Sequence, residues 1–202
     1  MSSVLLFFKG RLNMKPTGRM VLLFLAAAAA ASGFYSCVSG KTAEDGTVVY
    51  SLKPGIQILA EDVIDSYWGY LDVSGLADKV PVRRLAVLPF VNEEGKKIDL
   101  GRDIANSMQV AMYDPELFSM LERERIDSIL EEYKFSKTGM VEEISAAELG
   151  KLLGAELILV GTVTQKTYTS VISKIVDLTT GEIRAIGEVN LEDVPKAKTL
   201  DS

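Results

Sequence analysis

The spacing of apolar residues changes several times along this 202-residue chain, and the changes mark out its elements. From Pro54 onward Ile56, Leu59, Ala60, Val63, Ile64, Tyr67, Trp68 and Leu71 recur with helical period, so an amphipathic helix is expected over 54–72 with Pro54 in its first turn. Arg83 to Phe90 reads as a strand, apolar from Leu85 and closed by Pro89, which cannot sit inside a central ladder. A polar loop follows. Leu100, Ile104, Met108, Ala111 and Met112 then form a helical stripe that ends before Asp114-Pro115. Leu117 to Glu122 is a second strand, and Arg123 opens a helix whose Ile126, Ile129, Leu130 and Tyr133 fall at i, i+3, i+4 and i+7. Ser145-Ala146-Ala147-Glu148 has the form of a capping box, in which the Ser145 hydroxyl and the Glu148 carboxylate satisfy N–H groups of the first turn. Gly154 stops that helix.

Leu157-Ile158-Leu159-Val160 is a continuous apolar run, the pattern of a strand covered on both faces. Beyond Thr164 the period falls to two: Tyr168, Ser170, Ile172, Lys174 and Val176 alternate with Thr169, Val171, Ser173, Ile175 and Asp177. Thr180-Gly181 turns the chain, and Ile183, Ala185, Gly187 and Val189 read as one face of a last strand. The pattern therefore predicts a single α/β (α+β) domain of two to three layers over residues 53–190. Helices pack on a mixed sheet of about five strands that ends in an antiparallel meander, and residues 191–202 form a loose polar tail. Gly150 and Gly154 are expected to allow close helix approach and a left-handed helix end, and Gly161 to mark a strand position that another group approaches.

Composition narrows the chemistry. Of the 22 basic and 28 acidic residues, four cations (Lys9, Arg11, Lys15, Arg19) and no acid precede Cys37, so the remainder carries a net charge of −10. An acidic domain repels a phosphate backbone, which argues against nucleic acid. With no histidine and one cysteine, the commonest general base and metal ligand, a disulfide and a multi-cysteine metal site are all missing, so neither a metal nor another cofactor is expected. The acid pairs Glu93/Glu94, Glu131/Glu132 and Glu142/Glu143 read as solvated faces, and neither catalysis nor a small-molecule substrate is indicated. Trp68 and the methionines Met108, Met112 and Met120 read as core, with a partner contact as the alternative.

Residues 1–36 have the form of a targeting segment: basic Lys15 and Arg19, an apolar run from Val21 to Ala31 too short to span a membrane, then small Ser32 and Gly33. Because that signal is complete from Met14, Met14 is an expected start. Phe34-Tyr35-Ser36-Cys37 resembles a relaxed bacterial lipobox, with aromatic residues where aliphatic and small ones are usual. The resemblance implies lipid on Cys37 and, with Val38 rather than Asp after it, transport to the outer membrane. An ordinary cleaved signal with a spare cysteine is the alternative. Residues 37–52 then read as the lipidated N-terminus and a tether.

Taken together, Arg84-Leu-Ala-Val-Leu-Pro-Phe90, Phe118-Ser-Met-Leu-Glu-Arg123, Phe135-Ser-Lys-Thr-Gly139 and Glu148-Leu-Gly-Lys-Leu-Leu-Gly-Ala155 with Val160-Gly-Thr162 resemble the CsgG-like group of bacterial envelope lipoproteins. That group includes the curli secretion channel, the flagellar lipoprotein FlgO, LpoB-type activators of penicillin-binding proteins and the fold-related N-terminal domain of TolB. The resemblance covers about residues 83 to 190 and lies in scaffold positions, with Arg123 expected in a strand-to-helix salt bridge or, alternatively, at a partner contact. It implies an outer-membrane lipoprotein facing the periplasm, bound to membrane through Cys37 and acting on another envelope protein or on copies of itself. A ring-forming secretion channel is the competing expectation. It would need membrane-crossing hairpins of roughly ten alternating residues per strand, and only residues 164–190 alternate in that way.

Overall fold

The computed structural model describes residues 40–122, 124–129, 146–192 and 194–200. Cys37, Arg123 and Ser145 lie outside the described residues, as do the export signal, Leu130 and Tyr133.

In chain order the elements are β1 (Lys41–Thr42), β2 (Val48–Val49), α1 (Leu52–Val73), β3 (Arg83–Val87), β4 (Val91–Asn92), α2 (Asp99–Ala111), β5 (Phe118–Met120), a helical stretch at 124–129, α3 (Ala146–Leu153), β6 (Leu157–Gln165), β7 (Thr169–Asp177) and β8 (Ile183–Leu191). Strands β3 to β8 make one mixed sheet in the order β5-β3-β6-β7-β8, with β4 continuing beside β6. β3 runs parallel to both β5 and β6, whereas β6, β7 and β8 form an antiparallel meander. The sheet thus has six strands, and β3 stops at Val87 rather than Phe90 because Pro89 interrupts the ladder.

One face of the sheet is closed by α1 and α2. Leu85, Val87, Leu157, Leu159, Val163, Val171, Ile175, Ala185 and Val189 point into this layer and meet Leu59, Val63, Tyr67 and Leu71 of α1 and Ile104 and Met108 of α2. Tyr67 stacks tilted against Phe118 at 5.1 Å between ring centroids. In the middle of this face Gly161, Ser173 and Gly187 lie side by side in register, a trough without bulk. The Phe90 ring fills it at Gly161, where any Cβ would collide with the ring. Val63 fills it at Gly187, where a Cβ would stand 2.9 Å from Val63 Cγ2. Small residues across three strands therefore let a loop and a helix descend onto the sheet. Ser173 Oγ is buried there without a hydrogen-bond partner.

The opposite face carries a smaller core of Ala86, Ile126, Leu153, Ala155, Ile158 and Leu178, so the helical stretch at 124–129 and α3 cover β3 and the start of β6. The result is three layers around β3 and β6.

Three expectations need correction. The last strand contains a bulge: Ile175 pairs with Ala185 but Val176 pairs with Ile183, so Arg184 is skipped. Ile183 consequently leaves the face of Ala185, Gly187 and Val189 and is 54% exposed. Residues 194–200 are docked rather than loose: Asp99 N–H donates to the Lys198 carbonyl at 2.9 Å, and Leu200 N–H to that of Lys97 at 2.9 Å. Nor is the whole of 37–52 a tether. Its described part folds into the β1–β2 hairpin, and Tyr50 bridges to Leu191 at the edge of β8.

Candidate interaction surface

Charged residues gather where β3 and β6 begin, β7 ends and β8 starts. The Asp177 side chain, 6% exposed, receives Arg83 and Arg184, each with a guanidinium N at 3.4 Å, and accepts the N–H of Thr179 at 2.9 Å. Glu156 takes the Arg83 Nε at 3.1 Å and the Arg84 N–H at 3.1 Å. Arg184 also lies over the Tyr70 ring, 4.8 Å from its centroid, which ties α1 to the start of β8. Burial raises the Asp177 carboxyl, but the N–H of Thr179, the charge of Arg83, the N–H of Thr180 and the charge of Arg184 outweigh it and hold the group below its ordinary value. The Arg84 N–H is the chief reason that Glu156 also lies low, against a smaller effect of burial and with help from Arg83 and Arg84. These carboxylates are committed ion-pair partners. As such they clamp four strands and are poorly suited to accept protons as general bases.

The scaffold residues expected to matter do not converge. Glu148 is exposed in the first turn of α3. Gly150 sits beneath Leu178, where a Cβ would be 3.0 Å from the Leu178 Cβ. Gly154 has φ +67 and ends α3 in the left-handed region. Gly161 lies on the other face of the sheet under Phe90. Cys37, Arg123 and Ser145 are outside the described residues. No group of three or more His, Cys, Asp or Glu that could hold a metal occurs among the described residues.

The arrangement that sequence reading did not single out lies where α1 passes the edge of β8. Asp62 and Asp65 of α1, Ile172 of β7, and Ile186, Gly187 and Glu188 of β8 line an open groove of about 530 Å³. Two local facts build it. Gly187 lets α1 close in until the Asp62 Cβ stands 3.2 Å from where a Cβ at 187 would be. One residue earlier on β8, the Ile186 N–H donates to Ser66 Oγ at 3.1 Å, so the helix binds the strand edge through a side chain. Ile186 is 50% exposed, and it shares a row with Lys174 and Val160, while Ile172 shares the next with Thr162 and Glu188. Ser170 Oγ donates to Glu188 at 3.0 Å. Burial lifts the Asp62 carboxyl above its ordinary value, with the charges of Asp65 and Glu61 adding to it. The groove thus wraps the edge of β8: Asp62 and Asp65 lie on the α1 side, and Ile172, Ile186 and Glu188, alternating with Gly187 and its row, project from the opposite face. In the sequence, its visible signal was an isoleucine at Ile172 and Ile186 on strand faces otherwise occupied by Ser170, Lys174 and Glu188.

Comparison with known proteins places this architecture. Residues 83–173 match the family model of the curli production assembly/transport component CsgG. No curated protein matches the chain. Among solved structures, LpoB from Escherichia coli shares 12% identity with a TM-score of 0.47, covering 75% of this chain and 74% of its own. The LpoB C-terminal domain from Salmonella enterica shares 13% identity with a TM-score of 0.41, over 65% of this chain and 99% of its own. A PelC dodecamer from Paraburkholderia phytofirmans is matched at 11% identity and a TM-score of 0.29, over 55% of this chain and 73% of its own. The match runs over residues 83–173, from the first parallel strand to the middle of β7, so the similarity to CsgG lies in this part of the chain.

Proposed function

We propose that this chain is a non-enzymatic lipoprotein of the bacterial envelope, anchored by lipid at Cys37 to the outer membrane and serving in the periplasm as an interaction module for an assembly machine. The observation that carries the reading is the CsgG match over residues 83–173, a family described by assembly and transport, in a domain that presents half-exposed isoleucines on β8. A lipid anchor fits the first 37 residues: two or three acyl chains, at about 0.8 kcal/mol per buried methylene, would hold the domain at a membrane without a spanning helix. The machine itself could be flagellar, a surface-fibre secretion apparatus or a peptidoglycan synthase.

Fractionation tests the anchor. Cys37→Ala should abolish acyl labelling and move the full chain out of the membrane fraction with its fold unchanged by circular dichroism. Membrane retention of an unlabelled Cys37→Ala chain would overturn the lipoprotein reading. The family's transport description also supports a second reading, a ring-forming secretion component. Light scattering on the lipidated protein in mild detergent separates the two, a ring of many copies supporting the channel and a monomer or dimer the tethered module.

A further inference from the structure

We propose that the face of β7 and β8 turned away from α1 is a two-fold interface between two copies of this chain, with Ile172 and Ile186 meeting their own counterparts and Lys174 meeting Glu188 of the second copy. This rests on the interaction-module reading and names the module's partner as the chain itself. The strand register sets the pattern. Ile172 pairs with Glu188 and Lys174 with Ile186, so the isoleucines occupy one diagonal of a four-residue square and the two charges occupy the other. All four project opposite to the Ser173–Gly187 row on which α1 packs. The cover on their own face reaches β3 and the start of β6, and Ile186 stays 50% exposed. Ile183, paired with Val176 through the bulge, continues the apolar run along β8 and is 54% exposed.

The charges decide what can cover this face. Among the described residues Lys174 meets no carboxylate, and Glu188 accepts the Ser170 hydroxyl at 3.0 Å rather than a cation. An apolar partner would bury both charges unpaired, a basic one would oppose Lys174, and an acidic one would oppose Glu188. What fits is a surface with two aliphatic groups on one diagonal and a charge of each sign on the other, and this face is itself such a surface. A two-fold axis between the sheets, along the Ile172–Ile186 diagonal, sets each isoleucine on its counterpart and brings Lys174 to Glu188 twice. With strands about 4.8 Å apart and residues i and i+2 about 6.7 Å apart, the strands of the two copies cross at roughly 70°, near the orthogonal class of sheet packing. Such a pair closes at two copies. The contact is small, in the range of weak association, and tethering two copies to one membrane would favour it by raising their effective concentration.

The test uses the full chain in mild detergent with Cys37→Ala, which makes an introduced cysteine the only thiol because the chain has one cysteine. Ile186→Cys lies on the axis, so oxidation by copper phenanthroline should yield a disulfide-linked dimer at least about tenfold faster than with Val110→Cys on α2, which is 78% exposed. Ile172→Cys should behave like Ile186→Cys. Lys174→Glu or Glu188→Lys alone sets like charges against each other and should slow dimer formation about tenfold. The double exchange returns opposite signs to the contact and should restore the rate. Equal rates at positions 186 and 110, insensitivity to either single reversal, or no rescue by the double exchange would overturn the proposal. So would a photocrosslinking amino acid at position 186 that links to residues 130–145 of its own chain, which would make the face an internal contact. All these variants lack Cys37, so their outcome is independent of the anchor, which stands or falls on fractionation.

Discussion

The two faces of the sheet are built to different standards. On the α1–α2 face, large side chains from two helices close over the sheet, and the Gly161–Ser173–Gly187 trough is filled by Phe90 and Val63. On the other face, the small core around Ala86 and Ile158 serves β3 and β6, whereas Ile183 and Ile186 on β8 remain about half exposed. The same six strands thus carry stability on one side and an available surface on the other. Burial of apolar area accounts for the first, and exposed aliphatic groups bordered by acids account for the second.

Substitutions on the closed face should show the contrast most strongly. Tyr67→Ala removes a ring that is 1% exposed and packed on Phe118, and should cost about 3–5 kcal/mol in denaturant unfolding. Asp177→Ala leaves Arg83 and Arg184 without their shared carboxylate and should cost about 3 kcal/mol. That variant also changes the response to acid. The Asp177 carboxyl lies below its ordinary value in the folded protein, so its contribution is complete above the unfolded-state value and is lost as pH falls through the folded one. The wild type should lose stability through the acidic carboxylate range, and Asp177→Ala should lose less over the same interval. A Cβ at Gly154 meets no neighbour within 4 Å, so the cost of Gly154→Val is chiefly backbone strain at φ +67, about 2 kcal/mol by thermal unfolding. Ile186→Ser on the open face should change stability by less than about 0.5 kcal/mol. A loss there as large as that of Tyr67→Ala would erase the distinction between the faces.

Periodicity in the sequence located α1, α2 and the meander because each buries a regular apolar stripe. It misplaced Ile183 because the bulge at Arg184 accompanies an ion pair with Asp177, a tertiary partner that no alternation records. The docking of residues 194–200 was invisible for a related reason: besides backbone bonds at Lys97, Asp99, Lys198 and Leu200, the side chains of Gln165 and Asp99 hold it from distant parts of the chain, Asp99 accepting the Lys198 N–H and Gln165 bonding Pro195 and Ala197. Arg83 meets Glu156 and Asp177 across 73 and 94 residues, so their composition was legible and their meeting was not. The groove was hidden likewise. Only the packing of α1 on β8 at Gly187 brings Asp62 and Asp65 to the edge that carries Ile186.

Both ends of the sheet are short of room for another strand. At β8, Tyr50 bonds the backbone on either side of Leu191, through Asn190 and Glu192, and Ser66 takes the N–H of Ile186. At the other end, β5 offers three residues. Edge-to-edge growth needs a longer run of unpaired backbone than that. Many copies held side by side at high density would therefore gain little by pairing these two sheet edges, and any assembly would have to use other surfaces.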